Sequence, residues 1–221
     1  MNPHFRFPPF QALHRAALHL VALVAIAAVL ASCAAFSRPA TPKRTFLLDP
    51  VAPAAAALRK PLVLRVGVVN VATPFRGKAF VYRESELKYD SDFYDEFFVA
   101  PTAMLSEATA RALTSANVFR RVISPGAAAA DDSDYVLDGF VSELYGDTRE
   151  PAKPVAVLTV TFYLSSANVA VPNVLWSREY RQRIAATEAA PEALARAWNV
   201  ALSAIFADLA RDLAAVELPA R

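Results

Sequence analysis

The chain is poor in the residues that most often carry chemistry. One of its 221 residues is cysteine (Cys33) and three are histidine (His4, His14 and His19), so neither type occurs after position 33. That excludes internal disulfides, thiolate nucleophiles, histidine bases and Cys/His metal centres from the rest of the chain. Its five glycines, Gly67, Gly77, Gly126, Gly139 and Gly146, are scattered and do not gather ahead of a helix. A phosphate-cradling loop is therefore absent. No Gly-x-Ser-x-Gly occurs to suggest a serine hydrolase.

Charge of one sign is lacking too. The 23 basic and 21 acidic residues include Arg6 and Arg15 near the start, where there is no acid, and without that segment each sign numbers 21. A balanced, interspersed surface gives no reason to expect nucleic acid as a partner.

The strongest signal is at the beginning. Arg6 and Arg15 precede an apolar run from Ala16 to Leu30, which ends on Leu30-Ala31-Ser32-Cys33. A basic start, an apolar segment and a small-residue cleavage site are the three parts of a secretion signal. The run is short of the roughly 20 apolar residues that span a bilayer, and no second run of its length follows. The small-residue tripeptide ending in cysteine resembles the processing site of bacterial lipoproteins. That resemblance implies thioether attachment of diacylglycerol to Cys33, cleavage before it, and acylation of its new amine. Several acyl chains anchor durably where one holds only marginally. Ala34, rather than an aspartate, follows the cysteine, which favours the periplasmic face of the outer membrane.

This gives a signal peptide over 1–32, a lipidated tether over 33–44 and a domain over 45–221. Removal of 1–32 leaves 189 residues, enough for one domain with a full core. The tether carries Pro39, Pro42, Lys43 and Arg44, charges expected to be solvated. Phe46-Leu47-Leu48 reads as a short strand ended by Pro50, and Leu62–Val71 as a central strand, apolar on both faces. Phe80 to Phe98 holds seven aromatics among charges, and predicts a short hairpin (Val81-Tyr82 against Leu87 to Tyr89) running into an acidic-aromatic turn. Phe80, Phe97 and Phe98 are expected to point inward. Tyr82, Phe93 and Tyr94 are the candidate partner-binding residues, because aromatic rings supply rigid contact area.

Pro101 opens a helix with Met104, Leu105, Ala108, Ala112, Leu113 and Ala116 on its buried stripe. Phe119–Ile123 reads as a strand. Tyr135 to Tyr145 (stopping at Gly146), Val155 to Leu164 and Val174 to Ile184 read as an antiparallel meander. Pro191 begins a last helix with Leu194, Trp198, Ala201, Leu202, Ile205, Leu209, Leu213 and Val216 on one stripe. Trp198 and Tyr180 are expected in the core. The fold class is α/β, a single domain with a mixed β-sheet, a C-terminal antiparallel meander and two long packing helices. Asp131, Asp132 and Asp134, and also Asp92, Asp95 and Glu96, could offer oxygen ligands to calcium. Neither group has EF-hand spacing, so both are expected to be a solvated face. No catalytic residue, metal or cofactor is assigned.

Four features together resemble the ABC-type transport auxiliary lipoproteins, the PqiC-like family that accompanies MCE-domain lipid transporters. They are the site at Cys33; Phe46-Leu47-Leu48-Asp49-Pro50; Val81-Tyr82-Arg83 ahead of an aromatic stretch closing on Ala100-Pro101; and Asp134-Tyr135-Val136-Leu137-Asp138-Gly139. The resemblance implies a non-enzymatic lipoprotein at the outer membrane that docks to an MCE-domain protein while phospholipid passes between membranes. Some relatives form homo-oligomeric rings. A different reading is a lipoprotein regulator of a cell-wall synthase, which would want a longer tether than these eleven or so residues supply. A third is a lipid carrier with a closed apolar cavity.

Overall fold

The computed structural model describes residues 18–23, 42–127, 132–167 and 173–219. Cys33, Asp131 and most of the tether lie outside the described residues. Residues 18–23 are helical, with Leu18, Leu20, Val21 and Leu23 exposed. The compact unit that follows runs from Lys43.

Its described residues form eight strands in one mixed sheet and two long helices. In chain order these are β1 (Arg44–Phe46), β2 (Lys60–Val71), a 3-10 turn (Thr73–Phe75), β3 (Ala79–Arg83), β4 (Tyr89–Phe97), α1 (Pro101–Ala116), β5 (Phe119–Ile123), β6 (Tyr135–Asp147), β7 (Val155–Ser166), β8 (Val174–Ala185) and α2 (Pro191–Ala215). The expected single α/β domain with a mixed sheet is observed. So is the meander: β6, β7 and β8 pair antiparallel over nearly their whole lengths.

The long strand β6 organises the sheet. One of its edges carries β7 throughout. The other is shared end to end by two parallel strands, β2 from Leu64↔Tyr135 to Val71↔Val141 and β3 at Tyr82↔Gly146 and Arg83↔Asp147. Beyond β2 lies β5, also parallel, and beyond β3 lie β4 and then β1. The sheet is thus divided lengthwise into a deep part (β5-β2-β6-β7-β8) and a projecting edge (β3-β4-β1).

Both helices cover the same face. Leu105 and Thr109 of α1 and Leu202 and Phe206 of α2 converge on Val69, Val141 and Phe162 of the sheet. Pro101 stands in the first turn of α1, where its missing N–H costs nothing, and Asn117 ends that helix in the left-handed conformation (φ 53°), which asparagine tolerates. Between Val66 and Val69 the ladder of β2 shifts register. The Val69 N–H is taken instead by Ser106 Oγ of α1 at 2.8 Å, a buried bond that keeps the bulge satisfied. Gly146 lies under α2, where a Cβ would come within 2.9 Å of Leu194 Cδ1 and 3.3 Å of Tyr82 Cδ1 and press on both side chains.

By length and mean hydropathy alone α2 could cross a membrane, although Arg196, Asp208, Arg211 and Asp212 interrupt it and it holds no second apolar run of the length of 16–30. Yet 61% of its most apolar window is buried inside the domain, so it is a core helix. Trp198 lies two turns into it, fully buried and donating from Nε1 to the Val157 carbonyl (3.3 Å). The indole meets Phe80 edge-on at 5.0 Å and Phe97 at 5.6 Å, and Phe80 in turn meets Phe46 at 5.1 Å. The indole therefore ties the helix to β3 and β4 directly and to β1 through Phe80.

Several boundaries differ from those expected. The first strand starts at Arg44, a tether residue in the sequence reading, and ends before Leu47, which is 58% exposed. Its partner β4 supplies the reason, because it offers hydrogen bonds to Arg44–Phe46 and not further on. The acidic-aromatic turn is a strand, β4. Phe98 is 62% exposed, not inward, because β4 has ended one residue earlier. Strand β6 runs through Gly146 to Asp147, and Val216 caps α2 instead of joining its stripe.

Candidate interaction surface

Strand β4 reads Tyr-Asp-Ser-Asp-Phe-Tyr-Asp-Glu-Phe, too charged for a two-sided core strand and too aromatic for a plain surface one. The structure resolves that conflict with a wide bulge. Val81 pairs with Ser91 and Ala79 with Glu96, so Phe80 alone faces the four residues 92–95. The surplus chain loops outward. Asp92 holds it, its Oδ1 accepting the N–H groups of Tyr94 (2.8 Å) and Asp95 (3.0 Å).

Tyr82 supports the bulge from β3. It is half-buried; burial first, then the nearby Asp92 carboxylate, pushes its phenol well above the ordinary range. Asp95 is 4% exposed and receives a two-pronged bond from Arg44 (Nε–Oδ1 2.7 Å, Nη2–Oδ2 2.9 Å). The same guanidinium reaches Glu192 in the first turn of α2 at 3.1 Å. Glu96 lies between Lys43 (3.4 Å) and Lys78 (3.5 Å); although its burial opposes ionisation, the two ammonium groups hold its carboxyl below the usual range.

At the crest stand Phe93, 71% exposed, and Tyr94, 43% exposed, their rings perpendicular with centroids 5.1 Å apart. Lys43 Nζ lies 5.1 Å from the Phe93 centroid. Of the three candidate aromatics, Phe93 and Tyr94 are presented together and Tyr82 is set inward as their support. Sequence reading misses the Arg44, Asp95 and Glu192 group. Its members lie 51 and 148 positions apart, and no local pattern connects them.

A second charged cluster sits at the far end of β6. Buried Asp147 accepts from Arg149 (2.9 and 2.7 Å) and from Arg183 (2.9 Å) beside an open cleft of about 490 Å³. Led by the Arg149 hydrogen bond and against the cost of burial, these arginines hold the carboxyl far below its usual range. A third, Tyr180 Oη to Asp212 (2.6 Å) with Arg178 on the same carboxylate, staples β8 to α2, with Tyr180 in the core as expected.

The acidic groups weighed for calcium are employed as structural partners. Asp134 Oδ2 accepts the Val63 N–H (2.7 Å) and Asp132 pairs with Arg121 (3.5 Å). Among the described residues no group of three or more His, Cys, Asp or Glu is placed to hold a metal. The Ser-x-x-Lys spacing at Ser85 and Lys88, which the sequence reading passes over, closes the β3–β4 hairpin: Ser85 Oγ accepts the Lys88 N–H (3.1 Å) while the ammonium pairs with Glu84.

No protein-family model matches the chain, and no curated protein matches it. Solved structures do. The crystal structure of protein XCC0632 from Xanthomonas campestris, described under the family DUF330, superposes with a TM-score of 0.66 at 17% identity over 76% of this chain and 92% of its own. That of an uncharacterized protein superposes at 0.60, with 15% identity over 78% and 99%. A weaker likeness, at 0.41 with 19% identity over 74% and 95%, is to the PelC dodecamer from Paraburkholderia phytofirmans. At these identities the shared property is the backbone arrangement, and the chain has the mixed-sheet α/β fold of the DUF330 structure.

Proposed function

We propose that the chain is a non-enzymatic lipoprotein, anchored through Cys33 at the periplasmic face of the outer membrane, that serves as the auxiliary component of an MCE/ABC-type phospholipid transport system. Support comes from where the resembling residues fall in the fold. Val81-Tyr82-Arg83 is the strand that feeds the bulge, Ala100-Pro101 starts α1, and Asp134 to Gly139 opens the organising strand β6. Each stretch thus falls on a regular element or its start, in a fold shared with the DUF330 protein.

The interior supports docking over carriage in a closed cavity. The space left between the two helices and the sheet, lined by Val69, Leu105, Val141, Phe162 and Phe206, is about 10 Å³. That is near the minimum that holds a single water, and an acyl chain has no room there. The protein would hold or orient a transporter and leave the lipid to its partner.

Purification of the lipidated protein from its own membranes in mild detergent, with mass spectrometry of what copurifies and light scattering of the complex, tests the proposal. An MCE-domain protein is expected, with this chain present in more than one copy. A cell-wall synthase in its place would overturn the transport reading and establish the regulator.

A further inference from the structure

We infer that the Phe93–Tyr94 bulge is a seat for a zwitterionic lipid surface, and that it sets the long axis of α2 with its N-terminal end toward the bilayer. The inference rests on the anchor reading of Cys33 and goes beyond the transport proposal, because it concerns the membrane and not the protein partner.

The first ground is the place where the chain leaves the domain. Arg44 is the first residue of β1 and stands opposite Asp95 of the bulge, bonded to it through two nitrogens. Lys43, one residue earlier, lies over the Phe93 ring. The segment leading back to Cys33 therefore departs from beside the two exposed aromatics. Ten residue steps lead from Cys33 to Lys43, a reach of at most about 35 Å when fully extended and less as a flexible coil. An acylated Cys33 keeps this pole within that distance of the lipid.

The second ground is the chemistry of the crest. An exposed phenyl beside a half-exposed phenol, with a lysine stem across the ring, is the side-chain set that favours the boundary between headgroups and acyl chains, the phenol and ammonium remaining at the polar level. The backbone under the pair is tied by Asp92 and by the Arg44–Asp95 bond, which limits the conformational freedom lost on seating. Asp90, Asp92, Asp95 and Glu96 offset Lys43, Arg44 and Lys78 nearby, which favours a zwitterionic surface over an anionic one.

The third ground is polarity of the whole domain. Arg44 also holds Glu192, at the start of α2. The exposed Leu58 lines a groove with Ala207, Ala210 and Ala214 near the other end of that helix. Eighteen residues of helix separate Glu192 from Ala210, about 27 Å at 1.5 Å per residue. Seating by Phe93 and Tyr94 leaves the Leu58 groove well clear of the lipid.

Full-length lipidated Phe93→Trp, Tyr94→Trp and Leu58→Trp proteins, reconstituted in phosphatidylcholine vesicles with acyl chains brominated near the headgroup, test this. Emission is compared with the unsubstituted protein, whose Trp176 and Trp198 supply the background. Added emission at positions 93 and 94 is expected to fall at least about twofold and that at 58 to stay unchanged, as depth of interfacial aromatics dictates. Unquenched emission at both 93 and 94 in protein whose Cys33 is acylated by mass would overturn the inference alone. So would a concentration-dependent blue shift there without quenching, which would assign the crest to a second copy. An unacylated Cys33 would overturn the anchor as well. Quenching in a protein that copurifies with no MCE component would uphold the seat while removing the transport proposal.

Discussion

The deep part of the sheet and its projecting edge are held by different forces. In β6, β7 and α2 the partners are apolar and buried: Leu137, Leu144, Leu158, Val160 and Leu164 meet Leu202, Ile205 and Leu209, with hydrogen bonds confined to the ladders and a few staples. In β1 and β4 only Phe46 and Phe97 join that core, and the outer partners are Arg44, Asp95, Glu192, Asp92 and the lysines around Glu96, with exposed rings above them. Burial is non-directional and supplies bulk stability. Charged hydrogen bonds supply less net energy but hold a definite geometry. The domain keeps its stability in one part and spends its geometric control on presenting Phe93 and Tyr94 in the other.

Trp198→Ala should blur this contrast most, since the indole touches both parts. A loss of about 3–5 kcal/mol is expected, read by urea denaturation as a single shifted transition. An early, separate transition of the edge would mean that the indole serves the edge alone. Asp95→Ala should sharpen the contrast. It removes the partner of a half-exposed guanidinium and should cost about 1–2 kcal/mol. Amide exchange should rise in 43–46 and 92–96, with β6 and β7 protected as before; faster exchange throughout would show that the edge is not separate.

Acid should act on the staples of the deep part. The Asp147 carboxyl is depressed chiefly by Arg149 and Arg183; that of Asp212 is depressed because Tyr180 and Arg178 outweigh its burial. A carboxyl whose folded value lies below its unfolded one stabilises fully above the unfolded value, about 3.9, and loses that contribution as pH falls from there toward the folded value. Stability due to these groups should be flat from neutrality to about pH 5 and decline below pH 4. Asp147→Asn should lose about 1 kcal/mol at neutral pH and flatten the acid limb. The smallest effect belongs to Phe93→Ser. With the ring mostly in solvent, the change should stay within about 0.5 kcal/mol by thermal unfolding. A larger loss would show the crest to be core.

Much of the deep part is legible from local pattern. Alternate apolar residues from Ala156 to Leu164 all face the helices, and the stripe from Leu194 to Leu213 on α2 is buried as its spacing requires. Pro101 and Pro191 both stand in the first turn of their helices. The edge is far less legible. Residues 92–95 break the two-residue period of β4 because three surplus residues are looped out opposite Phe80, and nothing nearby in sequence announces that. Tyr82 and Phe93 look alike as aromatics among charges, and only pairing with β6 turns Tyr82 toward Leu194 while the bulge lifts Phe93 away.

The sequence by itself determines the kind and order of most elements, β4 excepted, the single apolar core and the lack of histidine or cysteine side chains past position 33. These follow from side-chain periodicity and residue type, which are properties of short stretches. Only the tertiary structure decides that β2 and β3 share one edge of β6, that Arg44 belongs to the domain, and that Phe93 and Tyr94 stand beside Lys43 and Arg44. Each of those depends on contacts between residues some 50 to 150 positions apart. Closing such loops is favourable only when the whole core forms at once, so no short window of sequence contains the answer.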